Sequence, residues 1–328
     1  LTSSVDGAVG SATADGSGNW SITSSALAEG AHDLTAAAVD PAGNSSAASA
    51  VLAITIDTTN PAAPGVADLD AASDTGSSST DNITNDTTPT LTGTAEVGAT
   101  VTLTSDVDGA VGSATADGSG NWSITTTTLA EGAHSLTSTA TDAAGNTGVA
   151  SAALAITVDT TDAAIPSIPD LAAVSDSGTA DDDDLTNDTT PTLTGTSDAG
   201  ASITVSSSVD GAVGTATADG SGNWSITSGV LTEGAHNLTA TATDAAGNTS
   251  AASAALAITV DTTAPSAPSA PDLDTGSDSG SSSTDDITND ATPTLTGTAE
   301  ADAVVTLTSS VDGAVGTATA DGSGNWSI

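Results

Sequence analysis

The chain has 328 residues with 42 Asp and Glu, three His and no Lys or Arg, which gives a formal net charge of −42. Because no basic side chain can neutralise phosphates, this composition excludes binding to nucleic acid or to an anionic membrane surface. Without Cys there are no disulfides and no thiolate chemistry, and no apolar run of about 18 residues predicts a transmembrane helix.

Such a high charge opposes compaction unless counter-ions screen it or bind at specific sites. High charge with few aromatic residues is also typical of disorder. The apolar fraction of 37% and a clear two-residue periodicity favour a folded chain instead.

The sequence is an internal repeat with a period of 102 residues. The residues that keep this step are Trp20, Trp122, Trp224 and Trp326, the histidines His32, His134 and His236, the "DTT" triplets that start at Asp57, Asp159 and Asp261, and the prolines Pro89, Pro191 and Pro293. A period near 100 matches one small domain per repeat. Proline-rich joints place a C-terminal part-domain at 1–57, whole domains at 58–159 and 160–261, and an N-terminal part-domain at 262–328.

The two ends overlap in repeat phase, since residues 1–22 recur almost unchanged at 307–328. The sequence also has no initiator Met and no signal-peptide pattern. We therefore interpret it as a window from a longer array.

Within the domain at 58–159, apolar residues alternate with polar ones, which predicts strands rather than helices. In chain order the predicted strands are "TPTLTGTAE" (88–96), "TVTLT" (100–104), "VGSATAD" (111–117), "NWSIT" (121–125), "HSLTSTATD" (134–142) and "ALAITVD" (153–159). The residues predicted to face inward are Leu91, Val101, Leu103, Leu136, Ser138, Ala140, Leu154, Ile156 and Val158. Six or seven short strands per repeat, joined by Gly-rich turns such as "DGSGN", predict an all-β fold of tandem immunoglobulin-like antiparallel sandwiches, arranged end to end as a rod.

The predicted core is thin, because each repeat has one Trp, no Phe or Tyr, and many Ala. Burial contributes about 25 cal/mol per Å² and must offset roughly 1–2 kcal/mol of backbone entropy per residue. We expect an external stabiliser.

Acidic residues gather at equivalent positions around the joints. In the first whole domain they are Asp68, Asp70, Asp74, Asp81, Asp86, Glu96, Asp142 and Asp159; their counterparts are Asp40 and Asp57, then Asp170, Asp176, Asp183, Asp188, Asp198, Asp244 and Asp261, then Asp272, Asp274, Asp278, Asp285 and Asp290. The middle copy has Ala172 in place of Asp70, and Asp181, Asp182 and Asp184 add charge there.

These acids predict several Ca²⁺ ions at the domain junctions. Ca²⁺ takes six to eight oxygen ligands from carboxylates, amides and carbonyls, whereas Mg²⁺ keeps more water and Zn²⁺ needs His or Cys, which the joints lack. The alternative is a solvated acidic linker balanced by diffuse sodium or magnesium. The calcium loop of EF-hands and the nonapeptide of calcium β-rolls are both absent.

Three other features have simpler interpretations. One His per repeat cannot form a zinc or catalytic cluster, so we expect His134 to fill the place of the Tyr-corner residue of immunoglobulin-like domains rather than to act as a metal ligand or pH switch. Trp122 is predicted to be a core residue, with a carbohydrate-stacking platform as the alternative. Thr-rich strands are similar to ice-binding arrays, but Thr is also a common solvent-facing strand residue.

Several motifs in combination resemble a known family. With "SDTGSSSTDNITNDTTPTLTGTAE", "GNWSIT", "LAEGAH", "TATDAAGNTS" and "ALAITVDTTAPSAP", the whole chain resembles the bacterial immunoglobulin-like repeats of giant surface adhesins and biofilm-associated proteins. The resemblance implies extracellular or cell-surface stalk domains with Ca²⁺ at their junctions, and it carries over to the joint acids and to Asp142 and Asp244. The absence of Lys, Arg and Tyr departs from the family pattern.

The sequence therefore predicts a non-catalytic stalk of a secreted adhesin, stiffened by Ca²⁺ and serving cell adhesion or biofilm formation. The partners expected are neighbouring repeats of the same chain, with no nucleic acid and no membrane insertion. One alternative is a self-assembling extracellular filament or sheath, in which identical chains are the partners. A weaker alternative is a sugar- or ice-binding module.

Overall fold

A computed structural model describes residues 1–178, 180 and 182–328, so Asp181 lies outside the described residues. Every regular element in the described part of the chain is a β-strand. None of the described residues belongs to a helix long and apolar enough to cross a membrane.

The domain at 58–159 contains eight strands in two sheets. They are β5 (Asp68–Leu69), β6 (Ile83–Thr84), β7 (Thr90–Thr94), β8 (Thr100–Ser105), β9 (Gly109–Thr115), β10 (Asn121–Thr125), β11 (Gly132–Thr141) and β12 (Leu154–Val158). One sheet has the order β10-β7-β5 and the other β6-β12-β11-β8-β9. All pairs are antiparallel except β6 with β12. The six predicted strands correspond to β7 to β12, and the two that the sequence analysis missed are only two residues long.

The domain at 160–261 repeats this arrangement. Its strands are β13 (Asp170–Leu171), β14 (Leu185–Thr186), β15 (Thr192–Thr196), β16 (Ser202–Ser207), β17 (Gly211–Thr217), β18 (Asn223–Thr227), β19 (Gly234–Thr243) and β20 (Leu256–Val260). The sheet orders are β13-β15-β18 and β14-β20-β19-β16-β17. The prediction of tandem immunoglobulin-like sandwiches is confirmed.

The outer segments hold fewer strands. Residues 1–57 contain β1 (Thr2–Ser3), β2 (Gly7–Ala8), β3 (Gly30–Thr35) and β4 (Leu52–Ile56), and residues 262–328 contain β21 (Asp272–Leu273), β22 (Leu295–Thr298), β23 (Val304–Ser309), β24 (Gly313–Thr319) and β25 (Asn325–Ser327). β1 to β4 form one sheet of order β2-β1-β3-β4. The strands of residues 262–328 form a three-stranded sheet of order β21-β22-β25 and a two-stranded sheet of β23 and β24.

The core lies between the sheets, where the alternating residues point. Leu91, Val101, Leu103, Leu136, Ser138, Ala140, Ile156 and Val158 are all buried as predicted, and Leu154 differs because it is half-buried at the edge of the core. The indole of Trp122 packs over Gly93, where an added Cβ would lie 2.4 Å from a ring atom. Glycine at this position is therefore what makes room for the single large aromatic side chain.

The path of the chain puts the acidic segment at one particular end of the domain. β5 and β7 run antiparallel, and the intervening residues 70–86 cross to the end where β12 leaves the domain. There the Asp159 N–H donates to the Thr84 carbonyl at 2.8 Å. We call this the C-terminal end of the domain; the opposite, N-terminal end holds the turn after β7 and the loop after β11.

Candidate cation site and domain junction

The acidic segment of each domain is a closed loop held by its own hydroxyl groups. The buried Thr84 Oγ1 donates to the Ser73 carbonyl, and Ser73 Oγ donates to Asp86 Oδ2 at 3.2 Å while accepting the Thr90 N–H at 3.0 Å. The second whole domain repeats these contacts through Ser175, Thr186 and Asp188. Such side-chain bonds to the local backbone replace strand pairing in this part of the chain.

One Asp in each loop is buried with an oxygen that has no partner. Asp74, Asp176 and Asp278 have exposed fractions of 5%, 7% and 7%, and Oδ1 of each makes no hydrogen bond to any of the described residues. Oδ2 of Asp74 accepts the Asn82 N–H at 3.3 Å, and Oδ2 of Asp176 accepts the Asp184 N–H at 3.4 Å. A buried ionised carboxylate needs pairing to offset its desolvation, and the sequence contains no Lys or Arg to provide it.

Other acids of the same loop stabilise turns. Asp81 Oδ1 accepts the Ile83 N–H at 3.1 Å, and Asp86 Oδ1 accepts the Thr88 N–H at 2.8 Å. Between them, Asn82 has a φ of 58°, and its counterparts Asp184 and Asp286 have φ values of 59° and 57°. Asn and Asp tolerate this left-handed conformation better than other non-glycine residues, so the extra charge of Asp184 also meets a backbone requirement.

The acidic loop of one domain contacts the next domain. Thr75 Oγ1 donates to the Ala246 carbonyl at 2.8 Å, and the Ser77 N–H donates to the Ala245 carbonyl at 3.3 Å. Gly76 between them has a φ of 100°, and an added Cβ would lie 1.9 Å from the Ala245 oxygen. Residues 75–77 therefore dock through backbone groups on the "TDAAGN" loop of the domain at 160–261.

That "TDAAGN" loop also binds the end of the preceding last strand. Asn248 Nδ2 donates to the Asp159 carbonyl at 2.8 Å and to Asp244 Oδ2 at 3.0 Å. At the preceding junction, Asn146 Nδ2 likewise donates to the Asp57 carbonyl at 2.9 Å. The same amide-to-carbonyl bond thus occurs at two of the three joints, those that follow Asp57 and Asp159.

The predicted ligands divide between the two ends of each domain. The acids at C-terminal ends are Asp74, Asp81, Asp86 and Asp159 with their counterparts Asp57, Asp176, Asp183, Asp188, Asp261, Asp278, Asp285 and Asp290. The acids at N-terminal ends are Asp40, Glu96, Asp142, Asp198 and Asp244. Asp68, Asp170 and Asp272 open the short strands β5, β13 and β21, and Asp70 and Asp274 accept N–H groups of the turn that follows. Docking of residues 75–77 brings the acidic loop of one domain and Asp159 beside the Asp244 loop of the next.

The carboxylates are near each other without forming a finished set of ligands. In the described part of the chain, no group of three or more His, Asp or Glu is arranged to hold a metal ion. Asp74 has a raised pKa because it is buried and because the charge of Asp81 is close. Burial also raises the pKa of Asp184, and the nearby charges of Asp176, Asp170 and Asp183 raise it further.

Carboxylates that accept several hydrogen bonds show the opposite shift. The Thr160 hydroxyl and N–H donate to Glu131 Oε2 at 2.7 and 3.0 Å, which lowers the pKa of Glu131. The Asn146 side chain is the largest cause of the lowered pKa of Asp142. These bonds stabilise the ionised forms.

The histidine of each repeat is a buried structural residue. His134 Nε2 lies 2.8 Å from the Ala130 carbonyl, so this nitrogen carries the proton, and Nδ1 lies 3.0 Å from Ser105 Oγ and 3.3 Å from Asp108 Oδ2. His32 and His236 have the equivalent contacts. A bond to the backbone four residues upstream is the kind of contact that the Tyr of an immunoglobulin corner makes, in agreement with the sequence prediction.

Trp122, Trp224 and Trp326 are buried in the core, so the core interpretation is confirmed for these three. Trp20 differs, with an exposed fraction of 54%. Residues 1–57 contain no counterpart of β7, the strand that covers this face in the next domain.

Sequence reasoning missed the groups that join the domains, namely Asn146, Asn248, Thr75 and Gly76. All four are uncharged, so a search for metal ligands passed over them. The signal that could have found the amides is their phase, since Asn44, Asn146 and Asn248 each follow an Asp by four residues in every copy of the loop.

Comparisons with known proteins agree with this fold. A family model described as a bacterial Ig-like domain matches four times, at residues 1–58, 60–160, 162–262 and 264–328. No curated protein sequence matches the chain at a significant level.

Three solved structures show low similarity. A biofilm-associated protein BSP domain has 22% identity over 62% of this chain and 30% of its own, with a TM-score of 0.23. The fibronectin(III)-like modules of Clostridium thermocellum CbhA have 19% identity over 59% of this chain and 93% of their own, with a TM-score of 0.34. The D0-D1 domain of intimin has 18% identity over 60% of this chain and 97% of its own, with a TM-score of 0.20.

Because these TM-scores are low, the assignment depends on the four family matches, which together span nearly every residue. The chain belongs to the bacterial Ig-like domain family, which it matches four times in tandem.

Proposed function

We propose that this chain is a non-catalytic stalk of a bacterial surface or secreted adhesin, which serves cell adhesion or biofilm formation. The supporting observation is the tandem array of family matches, separated by one residue at each joint. A run of sandwiches joined through facing ends is an extended spacer rather than a concave site. The printed name of the biofilm-associated protein agrees with this role but describes that protein alone.

We further propose that Ca²⁺ binds at the domain junctions and stiffens the stalk. The residues fit such an ion because a buried carboxylate oxygen in each of three acidic loops has no hydrogen-bond partner among the residues that the structure describes. Hard oxygen donors are what Ca²⁺ prefers. Asp74 and Asp81 would hold the ion in the first whole domain, with Asp176 and Asp183, and Asp278 and Asp285, as their counterparts.

The electrostatics support a cation at this place. The raised pKa of Asp74 means that its ionised form is disfavoured in the folded protein without a counter-charge. Bound Ca²⁺ supplies that counter-charge. The hydrogen bonds of Thr84 and Ser73 fix the shape of the loop, and residues 75–77 hold the loop against the next domain.

Calcium titration of the folded protein tests this proposal. A cation that binds only the folded state raises the melting temperature by mass action, so we expect the melting temperature to rise with Ca²⁺ concentration and to fall on chelation. Metal analysis after dialysis should find retained calcium. No retained calcium and one melting temperature with and without chelator would disprove calcium binding, while the stalk role would still rest on the tandem domains.

The filament and the sugar- or ice-binding alternatives gain no support from the described residues. A stacking platform needs an exposed aromatic ring, and the indoles of the sandwiches that contain β7, β15 and β22 are buried. We therefore retain the stalk as the proposed function.

A further inference from the structure

The "TDAAGN" loop has the geometry of a preformed receptor for the end of the preceding domain. An Asn amide nitrogen has two hydrogens. In the domain at 160–261, the two acceptors within reach of Asn248 Nδ2 are the carboxylate of Asp244 and the carbonyl of Asp159. The first bond orients the amide, and the second joins two domains.

The orienting bond is also present in the first copy of the loop. In residues 1–57, Asn44 Nδ2 donates to Asp40 Oδ2 at 2.8 Å, and Asp40 Oδ1 accepts the Ala42 and Asn44 N–H groups at 2.9 and 2.8 Å. Within the described residues, the Asn44 amide makes no bond outside its own loop. The local bonds are thus the same in a copy with an interdomain bond and in a copy without one among the described residues, so the clamp needs little reordering of the loop.

Burial of the amide follows the number of contacts across the junction. Asn44 is exposed, Asn146 is half-buried, and Asn248 has an exposed fraction of only 8%. Asn146 binds the Asp57 carbonyl, and Asn248 is additionally covered where residues 75–77 dock on Ala245 and Ala246. Among the described residues, the amide is therefore bound only within its loop at Asn44, bound across a junction at Asn146, and both bound and covered at Asn248.

We propose that Asn146 and Asn248 are interdomain clamps that hold each domain to the last-strand carbonyl of its predecessor without any metal ion. Asp142 and Asp244 are then positioning residues, since three N–H donors already occupy each carboxylate. This inference deepens the proposed stalk function, because it gives the junction a second, cation-independent support.

Spin-label distances across the second junction test the clamp. The sequence has no Cys. Two Cys residues introduced at the exposed, equivalent positions Thr115 and Thr217 would therefore be the only sites that react with a spin label. The distance distribution is measured by double electron–electron resonance in chelator and in Ca²⁺. The test variant is Asn248→Ala. The matched control is Asn44→Ala, which removes the same local bond but no interdomain bond.

In chelator, we expect the parent protein and Asn44→Ala to share one distance distribution, whose main peak is the docked distance. Asn248→Ala should shift the ratio of docked to undocked junctions about fivefold, the size of one neutral hydrogen bond. A parent distribution with no docked peak in chelator, or an Asn248→Ala distribution equal to that of the parent, overturns the clamp. Unchanged distances and melting between Ca²⁺ and chelator count against the calcium proposal alone, so the two failures are distinguishable. Circular dichroism confirms that each variant is folded.

Discussion

Two regions of the molecule share the sequence "VGSATADGSGNWSIT", at 9–23 and at 111–125, and they fold differently. In the complete domain these residues contribute to β9 and form β10, and Trp122 is 3% exposed. In the first region they form no strand after Ala8, and Trp20 lines an open cleft of about 570 Å³. Identical local sequence therefore becomes a strand only where a partner strand such as β7 exists, because β-propensity depends on cross-strand packing.

The acid-capped loops of the same two regions behave in the opposite way. Asp40 and Asn44 make the same loop bonds as Asp142 and Asn146, although within the described residues only Asn146 also bonds to another domain. Bonds between residues four apart are made locally and need no partner element. Sheet structure in this protein is thus set by tertiary context, and junction loops are set by local sequence.

The largest effect is expected for Trp122→Ala. Truncation of a buried aromatic side chain costs about 3–5 kcal/mol, so the domain at 58–159 should lose most of its stability. Trp20→Ala is the matched control in the exposed region and should change the free energy of unfolding little. Urea unfolding followed by circular dichroism measures both. Equal losses of unfolding free energy for the two variants would contradict the conclusion that Trp122 is packed in a core and Trp20 is not.

A smaller effect is expected for Gly76→Ala, which places a Cβ against the Ala245 carbonyl at a residue with a φ of 100°. A left-handed conformation costs a non-glycine residue about 1–2 kcal/mol, so the loop should leave its docking site and the distance distribution across the junction should broaden. Gly280→Ala is the control, because Gly280 holds the equivalent position in its own loop and an added Cβ there would lie 3.6 Å from the nearest atom. Identical distributions for the two variants would contradict docking through Gly76.

Asp74→Asn should have opposite effects with and without calcium. A raised folded-state pKa means that stability is lost as pH rises through that pKa. Removing the charge should therefore raise the melting temperature by a few degrees at neutral pH in chelator, and should reduce the stabilisation by Ca²⁺. The exposed Asp33→Asn removes one charge elsewhere and serves as the control. The site assignment fails if both variants respond alike in both buffers.

The smallest effect is expected for Glu131→Gln. Its folded-state pKa is lowered from the ordinary value of 4.5 by the bonds from Thr160, so this carboxylate stabilises the fold above pH 4.5 and that contribution disappears as pH falls below it. The variant should be slightly less stable than the parent at neutral pH and equal to it in acid. Urea midpoints across this pH range measure the difference, and a constant difference would contradict the assignment.

The fold was largely predictable, because period-two alternation predicts strands wherever the partner strand is also present. The two short strands β5 and β6 were missed since two residues carry no periodicity. The sequence drew attention to the acidic segment, but it could not show that residues 70–86 cross to the far end of their own domain. That crossing depends on the parallel pairing of β6 with β12, which joins residues distant in sequence.

The junction was less predictable than the sandwiches. Charge drew attention to Asp142 and Asp244, whereas the groups that reach the neighbouring domain are the amides of Asn146 and Asn248. An amide donating to a backbone carbonyl leaves no pattern in composition or charge. Only the repeat phase of these Asn residues could have indicated a shared role.

Small-angle X-ray scattering of the whole chain, with calcium and with chelator, tests most directly the claim that cations stiffen a row of sandwiches. We expect a longer maximum dimension and a rod-like profile in Ca²⁺, and a shorter average dimension with greater flexibility in chelator. The same maximum dimension and the same flexibility in both buffers would contradict it.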